Sequence, residues 1–378
     1  MRETADVAII GGGVIGLTIA RALARRGVAS VTVLERGSLG GEASSAAAGM
    51  LAPQAEADAD DDFFQLACKS RDIYSEFAAA LFEETGIDIE LEVTGTLYVG
   101  FTSADAAEIE KRFEWQRKAG LAVEKVNVLE ARRIEPAIAE NVRAVLSFPR
   151  DVQVENRRLV SALSESAKRY SVSIFTGVTA ESILIERDKV VGLQTSRGFL
   201  SSGKVIVASG AWSSFFINSD KRLPEVHIEP VRGQMISFES SPRLTRHVIY
   251  SPRGYLVPRM NGRLLAGSTM ESVGFDKRVT ASGMYSILSQ TIEISPLVAG
   301  LPIADFWAGL RPRASDGLPV LGPCAEIEGL FYASGHYRNG ILLAPITGEL
   351  VADAVVGRRI SPISAAFAPE RFNLMNVN

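Results

Sequence analysis

With 378 residues, 47% of them hydrophobic, and a formal net charge of −4, the chain can bury more than one core and is too apolar to be disordered. It has no basic surplus to neutralise a phosphate backbone, which argues against nucleic acid as a partner. The two cysteines, Cys68 and Cys324, stand outside any metal-ligand pattern and read as free thiols of a reducing compartment. The apolar run from Val7 is broken by glycines and has no cleavage site, and no stretch reaches the ~20 apolar residues of a membrane span. The expected location is the cytoplasm.

Residues 5–10 form a short apolar run before glycines, the pattern of a buried parallel strand. Residues 14–26 carry helical spacing through Ile15, Ile19, Ala22 and Leu23 and stop at Gly27. A second strand over 30–34 runs into Glu35. This opening is a βαβ unit, which implies a parallel sheet and a right-handed crossover. A small-residue loop follows over 40–49, then an acidic stretch over 56–62 that reads as solvated loop and the start of a helix. A helix is predicted through 64–84, a strand over 95–101, and amphipathic helices over 104–120 and 157–170. Short strands at 172–175, 179–186, 190–195 and 199–200 lead to a buried strand at 204–208. The segment 225–310 is rich in β-prone runs, at 234–238, 247–250, 254–258 and 263–268, and suggests an antiparallel sheet. A last buried strand over 329–334 precedes a helix over 342–356.

Gly11, Gly13 and Gly16 have the G-x-G-x-x-G spacing between a predicted strand and a predicted helix that opens with Val14 and Ile15. Glycines let the backbone approach a pyrophosphate closely, and a helix N-terminus offers it free N–H groups and a favourable dipole. Glu35, followed by Arg36, stands about twenty residues on, where a carboxylate accepts hydrogen bonds from ribose hydroxyls and would repel a 2′-phosphate. The small residues Ser44-Ser45-Ala46-Ala47-Ala48-Gly49 before Met50 would let backbone pack on a large planar cofactor, or equally serve as a helix contact. Ser209-Gly210-Ala211-Trp212 follows a later strand. Gly335-His336-Tyr337-Arg338-Asn339-Gly340 precedes the apolar helix that starts near Ile341 and Leu342. Three glycine loops so far apart suit an extended dinucleotide such as FAD better than NAD.

With these segments in order, the chain resembles the D-amino-acid oxidase superfamily of FAD-dependent oxidoreductases, and within it the glycine oxidases of thiazole (thiamine) biosynthesis. The resemblance runs nearly end to end. It rests on residues 9–16, Glu35, residues 45–51, Gly254-Tyr255-Leu256-Val257-Pro258-Arg259, Phe306-Trp307-Ala308-Gly309-Leu310-Arg311-Pro312, the turn Asp316-Gly317-Leu318-Pro319 and residues 335–345. It implies that Arg311, helped by the Tyr255 hydroxyl, pairs with a substrate carboxylate, and that Arg338 lies near flavin and substrate, its backbone carbonyl receiving the amine. It places Met50 and Met270 in the substrate pocket and adds Val178 and Gly309 to the cofactor site. On residue type alone, the alternative for Arg311 is a surface or interdomain salt bridge and for Tyr255 a core aromatic. An unaligned methionine is more often core packing, and His227, His247 and His336 read as surface or structural histidines, His336 least so because it lies in the glycine loop before Ile341.

The fold class implied is α/β of mixed α+β character, a Rossmann-like FAD-binding domain interleaved with an antiparallel-sheet substrate domain. The expected FAD-binding domain is 1–90, 150–225 and 305–378, and the substrate-binding domain 91–149 and 226–304. The activity implied is oxidative deamination of glycine, sarcosine or small D-amino acids by non-covalent FAD, with dioxygen as acceptor, in a homo-oligomer (tetramer or dimer). Three rivals stand beside it. One is a dehydrogenase passing electrons to a non-oxygen acceptor. Another is a sarcosine-oxidase-like enzyme with cysteine-linked flavin, although Cys324 follows Gly322-Pro323 in a different local pattern. The third is a non-catalytic flavin-binding subunit.

Overall fold

The computed structural model describes residues 3–217, 226–358 and 361–372. Its N-terminal strand Val7–Ile10 is buried at every residue and lies inside a six-stranded sheet. The order is Val320–Pro323, Leu330–Ser334, Val205–Val207, Val7–Ile10, Val31–Glu35 and Ser173–Thr176. All pairings are parallel except that of the edge strand Val320–Pro323. Near-continuous Val, Ile and Leu are what a parallel sheet covered on both faces requires. The helix Val14–Arg25 buries Leu17, Ile19 and Leu23, each contributing about 1.5–3 kcal/mol relative to exposure.

The helix Gly340–Val355 packs beside it, and the two approach closely because a Cβ on Gly348 would come within 2.6 Å of Thr18. Pro345 lies inside this second helix. A proline there has no N–H for the carbonyl four residues earlier. That carbonyl, on Ile341, instead accepts from the Tyr74 hydroxyl at 2.8 Å, and the next, on Leu342, accepts from Ser70 at 2.6 Å. The helix is therefore fixed at its N-terminal turn, which faces the site described below.

The larger sheet has eight strands, in the order Ile303–Ala314, Ile228–Glu239, Arg263–Gly267, Gly254–Pro258, Val248–Ser251, Thr96–Gly100, Ala144–Phe148 and Glu124–Lys125. It is antiparallel apart from the pair Val248–Ser251 with Thr96–Gly100, which joins the first half of the chain to its second. Ile303–Ala314 pairs with Ile228–Glu239 along its length, so the domain edge expected at 305 falls inside one continuous strand. The edge expected at 225 lies outside the described residues. A four-stranded sheet (Thr4–Ala5, Gly198–Ser202, Lys189–Thr195, Ala180–Glu186) and the pair Met50–Leu51 with Val152–Gln153 complete the topology.

Two elements differ from expectation. The helix predicted over 64–84 is two helices, Asp62–Asp72 and Tyr74–Thr85, separated at Ile73. Within the segment read as β-rich stands the helix Ala281–Ile294, started by Thr280, whose hydroxyl accepts from the Gly283 amide at 3.1 Å. Its serines, threonine and β-branched residues carry weak helix propensity, and burial of Ile287, Thr291 and Ile294 is what selects the helix. No helix among the described residues is long and apolar enough to cross a membrane.

Candidate functional site

One cavity of roughly 610 Å³ runs between the two large sheets, from Glu35, Arg36 and Val178 to Tyr255, Arg311 and Arg338. At its first end the chain leaves Val7–Ile10 through Gly11. A φ of +112° there, and a Cβ position only 2.4 Å from the Ala208 carbonyl oxygen, leave room for no side chain. Gly16 is packed equally tightly, with its Cβ position 2.0 Å from the Gly11 carbonyl oxygen, so the third glycine shapes the turn and does not itself line the cavity. Gly13 precedes the helix without any side-chain cap of its own. Its neighbour Val14 donates its amide to Ser44 Oγ at 3.0 Å. The Glu35 carboxylate accepts from the amides of Gly12 and Gly37 at 2.8 and 2.7 Å, which holds it at the rim. Arg36 stacks on Trp212, its guanidinium carbon 3.8 Å from the ring centre.

The small-residue segment forms the wall between the sheets. Gly49 has φ +72° and a Cβ position 2.1 Å from the Val154 carbonyl oxygen. Arg259, buried behind it, donates to the carbonyls of Ala48 at 2.5 Å and Val154 at 2.7 Å. Burial pulls the Arg259 guanidinium down to about 10, so it keeps its charge at neutral pH. Asn156 donates to the carbonyls of Ser44 and Ser45, and Trp307 Nε1 donates to that of Ala46 at 3.0 Å. A side chain on Gly309 would meet Ala46 Cβ at 2.5 Å. These contacts press a flat, nearly side-chain-free surface against the cavity. Together with the Gly11 turn and the open helix N-terminus, this is a cradle that suits an elongated flavin dinucleotide.

At the far end, Arg311 and Gly233 sit on paired strands in adjacent register, Gly233 opposite Gly309 and Val231 opposite Arg311. A Cβ on Gly233 would come within 2.2 Å of the Arg311 guanidinium, so the glycine makes the space the guanidinium occupies. Arg311 donates to the Thr269 carbonyl at 3.0 Å and to Ser268 Oγ at 2.7 Å. Among the described residues no carboxylate pairs with it. The segment carrying Ser268 and Thr269 is tied down by Glu271, which accepts from Arg232, Gln234 Nε2 and Thr269 Oγ1 at 2.8–3.1 Å. Those bonds, the one from Arg232 above all, hold the Glu271 carboxyl at about 2. The Tyr255 hydroxyl donates to Met235 Sδ at 3.2 Å, a weak acceptor that a carboxylate oxygen would displace.

Arg338 reaches the same end from the loop before Gly340–Val355. It donates to Glu56 Oε1 at 2.7 Å and to the Tyr250 hydroxyl at 3.2 Å, and Glu56 strengthens its positive charge. Tyr250 stacks between Tyr255 and Tyr98, and burial pushes its phenol well above the usual range. The backbone here is bent: Tyr337 has φ +49° and donates its amide to the Pro312 carbonyl at 2.8 Å, which couples this loop to the strand carrying Arg311.

His336 is buried beside Thr347 Oγ1 at 3.0 Å, and burial pulls its imidazole from an ordinary 6.5 down to about 3. It is therefore neutral in the fold. Because the unfolded chain takes up a proton below pH 6.5 that the fold refuses, stability contributed by neutral His336 is present above that pH and is lost as pH falls toward 3. Urea unfolding at pH 7.5 and 5.0 should show wild type losing about 2 kcal/mol more than His336→Gln between the two. Equal losses would place the acid sensitivity elsewhere.

Of the residues expected at the cofactor, Gly11, Gly13, Val14, Ile15, Glu35, Arg36, Ser44, Ala47, Ala48, Gly49 and Met50 line the cavity. So do Val178, Ser209, Gly210, Trp212, Gly309, Arg311 and residues 336–341, and Tyr255. Gly16, Ser45 and Leu342 do not; they shape the turn, carry a carbonyl for Asn156, and bury in the helix core respectively. Met270 is 62% exposed and outside the lining; its sulfur sits 3.5 Å from the Tyr337 hydroxyl, at the mouth. Sequence reasoning missed Glu56, read as solvated, and also Gly233, Met235, Ser268 and Tyr250. Only Glu56 carried a local signal: it follows Pro53-Gln54-Ala55, a buried turn, before the exposed acids begin.

A family model described as "DAO: FAD dependent oxidoreductase" matches residues 6–354. The chain is 37% identical over 380 residues to a bifunctional protein ThiO/ThiG of Synechocystis sp., covering 98% of this chain and 55% of that protein. It thus spans about half the length of that relative. It is 36% identical over 357 residues to a glycine oxidase of Geobacillus kaustophilus, covering 94% of each. The crystal structure of glycine oxidase from Geobacillus kaustophilus superposes with a TM-score of 0.94 at 34% identity, over 98% of this chain and 99% of that one. An iminodiacetate oxidase from Chelativorans sp. follows the same fold with a TM-score of 0.87 at 26% identity, over 96% and 98%. With the cradle, the glycine turn and the family match all converging on one cofactor, the chain belongs to the DAO family of FAD-dependent oxidoreductases.

Proposed function

We propose that this protein oxidises glycine, sarcosine or small D-amino acids to a 2-oxo acid, ammonia or a primary amine, and hydrogen peroxide, in service of thiazole formation for thiamine. The observation that carries the reading is Arg311: a guanidinium at the end of the flavin cavity, bonded among the described residues to a carbonyl and a hydroxyl, with Tyr255 lining the same cavity. A planar guanidinium can engage both oxygens of a carboxylate. The similarity to glycine oxidases and to ThiO/ThiG supports the substrate class and the pathway.

FAD held by the Gly11 turn and the wall of residues 47–49 would supply the two-electron acceptor for the substrate Cα–H, with dioxygen as the final oxidant and water releasing the amine. The chain's part is placement. Arg311 and Tyr255 would hold the carboxylate, and the Arg338 carbonyl would orient the amine. Neutral His336 adds no charge to the flavin loop, and no dedicated base is needed if the amine arrives unprotonated. We assign Met50 and Met270 to the pocket wall and mouth, the six-stranded sheet to cofactor binding and the eight-stranded sheet to substrate binding. Neither Cys68 nor Cys324 lines the cavity, which argues against a cysteine-linked flavin, and we take the flavin to be non-covalent: acid precipitation should leave the yellow colour in the supernatant, and colour in the pellet would overturn this. The reading includes a cytoplasmic homo-oligomer, consistent with exposed Ile303 and Phe306 on an edge strand; light scattering would test it.

One methylene changes binding by only ~1–3 kcal/mol, so the preferred substrate is a matter for measurement. Peroxide release and oxygen uptake across glycine, sarcosine, D-alanine and D-proline should be equimolar and greatest for one of these. Turnover with an artificial electron acceptor but none with oxygen would instead identify a dehydrogenase.

A further inference from the structure

The far end of the cavity holds two guanidinium groups in different electrostatic situations; a third, Arg36, lies at the opposite end and is paired with Glu42 at 3.1 Å. Among the described residues Arg311 has neutral partners only, whereas Arg338 is ion-paired to Glu56 at 2.7 Å. Glu56 is not a flexible rim acid. It closes the short helix Pro53–Glu56, in which Pro53, Gln54 and Ala55 are buried. From the helix Ser103–Lys118, Arg112 donates to the carbonyls of Ala55 and Ala57 and pairs with Asp58, and Gln116 exchanges two hydrogen bonds with Gln54. Arg71 holds the Gln54 side chain from the other side at 2.9 Å. A carboxylate is thus built into the cleft on a fixed support, beside one of the two cations at its far end.

We infer that Glu56 sets the charge of the substrate: by neutralising Arg338 it leaves Arg311, among the described residues, as the uncompensated cation at that end of the cavity and selects a monocarboxylate over a dicarboxylate. Two unpaired guanidiniums in one cavity would welcome a second anionic group. With Glu56 present, that group meets a cation already paired and a like charge next to it, in a partly water-excluded space where charge interactions are strong. Glu56 is a specificity-determining residue in this account, acting on the ligand's second charge. The inference rests on the amino-acid-binding reading of the same cavity.

The test is titration of the FAD-loaded full chain with acetate and with malonate, followed by the flavin's visible spectrum. Glu56→Gln should raise the malonate-to-acetate affinity ratio at least tenfold, and the gain should vanish in the Glu56→Gln/Arg338→Gln double variant. Arg338→Gln alone, which leaves Glu56 unneutralised, should lower the ratio below wild type, so either single variant can decide the matter. An unchanged ratio, a gain that survives in the double variant, or equal weakening of both ligands (Glu56 then serving the amine or the fold) would each overturn the inference. Glycine turnover by wild type judges the oxidase reading separately: its absence would leave the carboxylate ratios interpretable, and altered ratios do not depend on turnover.

Discussion

Arg311→Gln should lower kcat/KM for the amino acid on the order of 10²–10³-fold while FAD remains bound. The variant removes a charge-assisted, two-pronged contact from a partly buried site, and losing one partner of such a pair costs about 2–5 kcal/mol. Arg311→Lys keeps the charge but not the planar fork, so it should recover only part of the loss. Because Arg311 donates, among the described residues, to Thr269 and Ser268 and to no carboxylate, neither substitution strands a buried carboxylate there, and thermal stability should move little. The measurements are steady-state kinetics, flavin content after gel filtration, and acetate affinity. Activity within threefold of wild type would remove Arg311 from the carboxylate clamp.

Gly233→Ala should reduce kcat/KM about a hundredfold without unfolding the protein. The new methyl would sit 2.2 Å from the Arg311 guanidinium, which must move. What it strikes is the far end of a flexible side chain, and the residue lies inside the strand Ile228–Glu239 with no left-handed φ to defend. Alanine in place of glycine in a strand interior is even favourable by roughly 0.5–1 kcal/mol. The expected signature is therefore a raised KM and weakened acetate binding with an unfolding free energy within about 1 kcal/mol of wild type. A large drop in stability together with activity would mean that the strand, not the guanidinium, gave way.

The cofactor half of the protein was largely legible from sequence. The largely apolar runs that became Val7–Ile10, Val31–Glu35, Val205–Val207 and Leu330–Ser334 read as strands covered on both faces, and Gly11, Gly13 and Glu35 are read at fixed short spacing. Local pattern failed where burial and propensity disagreed, as in Ala281–Ile294, and where an acid's neighbours in sequence were not its neighbours in space. Glu56 opens an acidic run that is elsewhere solvated, yet its own carboxylate meets Arg338, 282 residues away.

Composition and spacing settled a βαβ dinucleotide fold and an FAD-sized set of glycine loops, because those signals act over a few residues and need no partner. The charge of the cleft was decided only by tertiary structure. The register that sets Gly233 against Gly309, and the fixed support that brings Glu56 to Arg338 while leaving Arg311 unpaired, are pairings between distant segments. A residue's type does not reveal whether its charge is cancelled; the group packed against it does.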